Sequence, residues 1–167
     1  MTEAPAVQSS RALAVFDVDG VLADVRHRLP LLDTRPRDWA RFFAAATEDP
    51  PLAQGVALAR ELELAYEVVY VTGRPERCRQ DTLDWLARHG LPAGRLLMRP
   101  DPDRRPARVL KAGLLGGLAR AASIAVVVDD DVAVCAALRQ RGHPVLLADW
   151  MPRAEVMDEA QERLGRT

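Results

Sequence analysis

The residues in this chain best placed to do chemistry are two acids one residue apart. Asp17 and Asp19 follow directly on the apolar run Leu13-Ala14-Val15-Phe16, with Gly20 behind them. Like charges at the mouth of a buried element repel each other and resist desolvation unless a cation or a reacting group uses them. The plainer reading is a capped turn, since Asp and Gly are ordinary turn residues. Two further apolar runs also end in polar groups: Val68 to Val71 runs into Thr72-Gly73-Arg74-Pro75, and Ile124 to Val128 runs into Asp129-Asp130-Asp131. Lys111 lies on a helical stretch between them. Singly, Thr72 could open a turn, Lys111 could sit in solvent, and the three acids could cap a helix. Together, in this order, they point to a shared site.

The chemistry that suits such a set is phosphoryl transfer. Mg²⁺ takes oxygen ligands, and its sites use few protein groups, leaving room for water and phosphate. Asp17 and Asp129 are the expected carboxylate ligands, with the backbone carbonyl of Asp19 as a third. Either Asp129 or Asp130 could touch the metal; Asp129 is favoured, with Asp130 orienting water or Lys111. A carboxylate neutralised by the cation can then attack phosphorus and form an aspartyl-phosphate. Thr72 offers a hydroxyl to a phosphoryl oxygen, and Lys111 brings positive charge to the nucleophile and the transferring group. Asp19 would protonate the leaving oxygen and later accept a proton from water.

These residues need elements to hold them, and strand and helix signals alternate along the chain. Apolar residues recur with helical period from Val56 to Ala65, before the strand at Tyr66 to Val71. Helices are expected over Glu76 to His89, Ala107 to Ala119, Val132 to Gln140 and after Pro152, and strands at Arg95 to Met98 and Val145 to Leu147. Alternation of this kind predicts a mainly parallel sheet with helices on both faces, in which ligands bind outside the carboxyl ends of the strands. Residues 25–51 carry no strand signal and read as a small helical flap beside the site. Its Trp39, Phe42, Phe43 and Ala46 recur at helical spacing, which favours packing over substrate contact, and Asp49-Pro50-Pro51 stops it.

The segments FDVDGVLAD, VTGRP, the lysine of RVLKAGLL, and VVVDDD, in that order, resemble the four motifs of the haloacid dehalogenase (HAD) superfamily, mostly Mg²⁺-dependent phosphatases. The resemblance spans Ala12 to about Trp150. It implies a HAD-like, Rossmannoid three-layer α/β/α sandwich with a small cap, Asp17 as nucleophile and Asp19 as acid/base. An aspartate at both positions favours a phosphatase over a dehalogenase or mutase. Arg74 after the Thr-Gly pair, Arg28 eleven residues beyond Asp17, and the RPDPDRRP loop before Lys111 look like the 3′-phosphatase domain of polynucleotide kinase-phosphatases. There, two such arginines help hold the substrate phosphate, a task that suits the planar guanidinium fork. Gly73 is expected in the same substrate-binding loop. One departure stands out: related sequences usually carry an aspartate four residues before the lysine, where this chain has Ala107, which leaves the orientation of Lys111 open. No GxxxxGK[ST] loop occurs, so 5′-kinase activity is not expected.

The chain's 167 residues suit a single domain over residues 11–163, with polar tails expected at 1–10 and 164–167. Its formal net charge of −1 gives no global field to attract nucleic acid or an anionic membrane. Cys78 and Cys135 lack CxxC spacing and are expected as reduced, buried thiols; with no secretory or membrane-spanning run, the expectation is a cytoplasmic protein with no membrane partner. A short flap leaves an open rim that could admit a bulky phosphorylated end. The expected substrate is a nucleic-acid 3′-phosphate or a nucleotide. The alternatives are a general or small-metabolite acid phosphatase and a non-catalytic binding module of the same fold.

Overall fold

The computed structural model describes residues 11–167, so the tail expected at residues 1–10 lies outside the described residues. Five parallel strands form the centre: β1 (Leu13–Phe16), β2 (Glu67–Pro75), β3 (Arg95–Arg99), β4 (Ile124–Asp129) and β5 (Val145–Leu147). They are ordered β3-β2-β1-β4-β5. β1 therefore lies in the middle, with Phe16 opposite Tyr70 on one side and Val128 on the other. All four of its residues are fully buried, as the unbroken apolar run requires.

The period-two alternation of a strand divides these residues between two cores. Ala14 and Phe16 join Val68, Tyr70, Leu96 and Met98 on the face covered by α2 (Ala53–Glu63) and α3 (Arg79–Arg88). Leu13 and Val15 join Val69, Val71 and Val127 on the opposite face, under α4 (Ala107–Ala121) and α5 (Val132–Gln140). This is the expected three-layer arrangement. Both cysteines are buried and free. Among the described residues no helix is long and apolar enough to cross a membrane.

Three segments differ from the sequence reading. β2 does not stop before Thr72; it remains extended through Pro75, which pairs with Arg99 across an irregularity in register. The helix expected after Pro152 is a single turn, α6 (Glu155–Asp158), continued by a π-helical turn over Glu159–Arg163. Residues 164–167, expected to fray, are packed instead. Gly165 adopts φ +57° against the backbone of Arg104, the Arg166 amide donates to the Ala160 carbonyl, and Thr167 is 3% exposed. Burial against neighbouring backbone overrides the local polarity there.

The flap consists of a 3₁₀ turn at Arg26–Leu32, the helix α1 (Trp39–Ala44) capped by the Asp38 carboxylate, and a second 3₁₀ turn at Ala45–Glu48. Its two ends are fastened beside β1: the Asp24 amide donates to the Pro50 carbonyl and the Leu52 amide to the Leu22 carbonyl. Phe42 and Phe43 are buried, so the aromatic stripe does pack. The buried Trp85 of α3 adds a tie, its indole N–H donating to the Asp49 carbonyl at 2.8 Å. Trp85→Phe keeps one aromatic ring but removes the donor and the pyrrole part of the indole. Urea denaturation should show a loss of about 2–4 kcal/mol with an unchanged slope, the cost of a buried carbonyl left without its partner together with that of the small cavity.

Candidate active site

The carboxyl ends of β1, β2 and β4 meet at one rim, and the polar residues that follow them are almost completely shielded from water. After β1 the chain doubles back at once: the Val18 carbonyl accepts the amides of Val21, Leu22 and Ala23, and Gly20 turns at φ +78°. A Cβ on Gly20 would stand 2.2 Å from Oδ2 of Asp130, so the turn fits only without a side chain there. Asp17 and Asp19 emerge from this turn on either side of Val18 and enter two different clusters.

The first cluster contains Asp17, Asp129, Asp130 and Lys111. Lys111 Nζ lies 2.7 Å from Oδ2 of Asp17 and 2.6 Å from Oδ2 of Asp129. The other oxygen of Asp17 accepts the Val18 amide, and that of Asp129 the Asp131 amide. Asp130 Oδ2 accepts a hydrogen bond from Nη1 of Arg153 at 2.8 Å, while its Oδ1 is buried without a partner. Burial raises the Asp17 carboxyl well above its ordinary range; Lys111 opposes this and the charges of Asp129 and Asp130 add to it. Burial and the neighbouring Asp129 likewise push Asp130 up to about 7, against the pull of Arg153. Burial disfavours the Lys111 ammonium, yet the two carboxylates outweigh it and hold its pKa above the usual lysine range.

Oxygens of Asp17, Asp129 and Asp130 lie within 4.8 Å of one another. Three buried carboxylates, one oxygen of them orphaned, share only Lys111 and Arg153 and are short of positive charge, and an all-oxygen donor set suits a hard divalent cation. Asp129 and Asp130 both stand at this place, Asp129 being the one bound to Lys111. Lys111 is thus oriented without an aspartate at position 107, where Ala107 is buried in the core.

The second cluster surrounds Asp19. Arg28 Nη2 donates to its Oδ1 at 2.9 Å, and Arg74 donates to the same oxygen from Nε at 2.9 Å and Nη2 at 2.6 Å. Burial would raise the Asp19 carboxyl, but the two guanidinium groups more than reverse this and bring it down to about 2. Arg28 lies 4.3 Å from the Phe42 ring centroid, so the aromatic stripe of the flap also seats a charged side chain. Thr72, 1% exposed, accepts the Arg74 amide at its Oγ1. Gly73 is lined on one side by the last residue: a Cβ there would lie 2.1 Å from the Thr167 carbonyl carbon. Arg99 is fully buried and fixes this loop, donating to the carbonyls of Gly73, Arg105 and Thr167.

The structure therefore gathers every sequence-derived candidate at one rim, and adds Asp49, Arg99, Arg153 and Thr167. Asp49 reads in sequence as the first residue of a proline stop, and Arg153 as one of many arginines. Thr167 lay in the segment expected to fray. Only Arg99 carried a signal, being the first residue of the arginine-proline loop before Lys111.

Residues 11–149 match the family described as the polynucleotide kinase PNKP phosphatase domain. No functionally curated protein matches the sequence. Among solved structures, the fold is similar to a chain of the Pnkp1/Rnl/Hen1 complex, with a TM-score of 0.71 and 22% identity over 84% of this chain and 46% of that one. A second structure, described as the Pnkp1/Rnl/Hen1 RNA repair complex, gives 0.68 and 23% over 87% and 45%. The class C acid phosphatase from Bacillus anthracis with tungstate bound gives 0.64 and 14% over 92% and 78%. At these identities the likeness is one of fold, and the chain spans less than half the length of the Pnkp1-complex chains it matches.

Removing the lysine tests the charge balance. Lys111→Met leaves Asp17 and Asp129 buried and facing each other, and should cost about 3–5 kcal/mol in metal-free buffer. Millimolar MgCl₂ should raise the melting temperature of this variant by more than it raises that of the wild type, because the cation supplies the missing charge. Thermal melts of both proteins with and without Mg²⁺ make the comparison.

Proposed function

This chain belongs to the family of polynucleotide kinase phosphatase domains, within the HAD superfamily, and on that premise we propose that it is a Mg²⁺-dependent phosphomonoesterase acting on a nucleic-acid 3′-phosphate or a nucleotide. The observation that carries the reading is the pair of buried clusters joined through Val18: a cation-deficient carboxylate set on one side and two arginines on the other. A phosphoryl group between them would meet a nucleophile from the first and hydrogen-bond donors from the second.

Asp17, Asp129 and the Asp19 carbonyl would hold the magnesium, with Asp130 at its edge; the bound ion would neutralise the carboxylates and polarise the phosphoryl group. Lys111 keeps Asp17 paired and fixes the direction of its carboxylate. Asp17 attacks phosphorus and the bond to the leaving oxygen breaks; Asp19, ionised while Arg28 and Arg74 hold it, takes up a proton from solvent once the phosphoryl group displaces it from them, and passes that proton to the leaving oxygen. Water then attacks the phosphorus of the aspartyl-phosphate, the bond to Asp17 breaks, and Asp19 takes the proton of the water. Arg28, Arg74 and the Thr72 hydroxyl bind the non-reacting phosphoryl oxygens throughout. Gly73, without a side chain, leaves room for Thr167 beside this loop, and Arg99 holds its carbonyl.

The depth of the site bears on the substrate. Asp17 and Asp19 are each 3% exposed, and the cavity lined by Asp19, Gly20 and Asp130 is only about 10 Å³, so in place of the open rim anticipated from the short flap the acids form a buried floor that a phosphoryl group must open. A terminal phosphomonoester can extend its phosphoryl group to that floor while the rest of a polymer stays outside; an internal diester cannot. The occurrence of one structural neighbour in an RNA repair complex agrees with a nucleic-acid end as substrate.

With Mg²⁺, a 3′-phosphorylated oligonucleotide should release phosphate at a rate at least about 10³-fold above that of Asp17→Asn, and chelation should abolish it. A 5′-phosphorylated oligonucleotide and an aryl phosphate serve as comparisons under malachite green detection. Release from the 3′-phosphate no greater than from the Asp17→Asn control would reject this substrate. Release from the aryl phosphate alone would keep the hydrolase and discard the nucleic-acid end.

A further inference from the structure

Behind the two arginines lies a second carboxylate that the mechanism above does not use. Asp49 receives Arg28 as a two-pronged pair, Nε to Oδ1 and Nη2 to Oδ2, both at 2.8 Å. It also receives Arg74 Nη2 at 2.9 Å and contacts His27 Nε2 at 2.7 Å. Its side chain is fully buried. The backbone around it is held as well: the Asp49 carbonyl takes the Trp85 indole, its amide donates to the Ala46 carbonyl, and Pro50 and Pro51 follow.

Asp19 and Asp49 grip the same two guanidinium groups, but they are not equivalent. Asp19 uses a single oxygen, Oδ1, and its Oδ2 is buried without a partner. Arg28 likewise has one terminal nitrogen, Nη1, buried and unpartnered. Asp19 therefore holds the arginines by one oxygen only, and Nη1 of Arg28 is a donor still open to an incoming anion. Asp49 has both oxygens occupied and its main chain tied on two sides.

We propose that Asp49 is the positioning residue of the phosphate pocket: it holds Arg28 and Arg74 in the site while the substrate phosphoryl group takes the place of Asp19 on them. This assignment rests on the phosphatase reading for its substrate. When Asp19 releases the guanidinium groups to act on the leaving oxygen, Asp49 is the remaining carboxylate of the cluster. Two guanidinium charges against one carboxylate then leave a net positive site facing the phosphate. Without Asp49 each arginine would have to find its geometry again at every encounter, which weakens binding before it affects bond breaking.

Asp49→Asn keeps the shape but presents an amide donor to one guanidinium. The expected result is a 10- to 100-fold weaker dissociation constant for inorganic phosphate, measured by calorimetry in Mg²⁺, the range set by loss of a charged hydrogen bond. KM for the phosphomonoester should rise by a similar factor with kcat within about threefold. A purely structural role would instead lower the active fraction, and so kcat, at constant KM. Phosphate affinity equal to that of the wild type would overturn the proposal. If Asp49→Asn does not fold, His27→Ala, which removes the outer partner of Asp49, decides the matter: a two- to fivefold loss of phosphate affinity supports the assignment and no loss overturns it. Should the wild type hydrolyse no monoester while the variants still lose phosphate, the pocket assignment stands and the phosphatase reading falls.

Discussion

The fold depends on one electrostatic constraint: charges removed from water at the carboxyl ends of parallel strands must neutralise one another in place. Asp17, Asp19, Asp49, Asp129, Asp130 and Asp131 are all buried, as are Lys111, Arg28, Arg74 and Arg99. An isolated buried ion would cost several kcal/mol, so each must have its partner at hydrogen-bond distance. The helices and the flap can be understood as the means of bringing these partners in. α4 delivers Lys111, α5 begins with Asp131 capping its own first turn, and the flap delivers Arg28 with Asp49 behind it.

The constraint is met unevenly, and the unevenness has a chemical meaning. Around Asp19 the guanidinium groups suffice to hold the carboxylate ionised. Around Asp17 and Asp130 the ammonium of Lys111 and the guanidinium of Arg153 do not, and burial with mutual repulsion drives both carboxyls toward the protonated form. One side of the turn is saturated with positive charge and the other is deficient in it. A dianionic ligand suits the first and a divalent cation suits the second, so a metal-bound phosphate would complete both at once.

The part of this arrangement legible in the sequence is the part carried by short-range pattern. Apolar runs ending in acids mark strand ends, and strand ends of a parallel sheet share a rim, so Asp17, Thr72 and Asp129 could be brought together before any coordinates. Arg28 and Arg74 came from resemblance to a family. Asp49 could not be found in this way, because an Asp before two prolines is ordinary punctuation; only the flap folding back past Trp85 makes it a ligand for two arginines. The extension of β2 through Pro75 was hidden for a similar reason. Thr-Gly-Arg-Pro has turn composition, and pairing with Arg99 keeps it extended. Residues 164–167 carry no apolar pattern, and what orders them is the space beside Gly73 and the buried donors of Arg99.

Ala107 shows how a departure from a family pattern can be absorbed. An aspartate four residues before the lysine would sit one helical turn away on the same face, where it could steer the ammonium. Here that position is fully buried among Leu13, Val15, Val71, Leu115 and Val127 in the core under α4 and α5, and an aspartate there would need a buried partner of its own. The direction of Lys111 comes from elsewhere: Leu110 and Ala112 on either side are buried, which fixes the rotation of α4 about its axis, and Asp17 and Asp129 receive the ammonium. The lysine then relies on Asp17 and Asp129 for its orientation. Its ammonium bridges the two carboxylates, so that removing either leaves the other as its one anionic partner at hydrogen-bond distance.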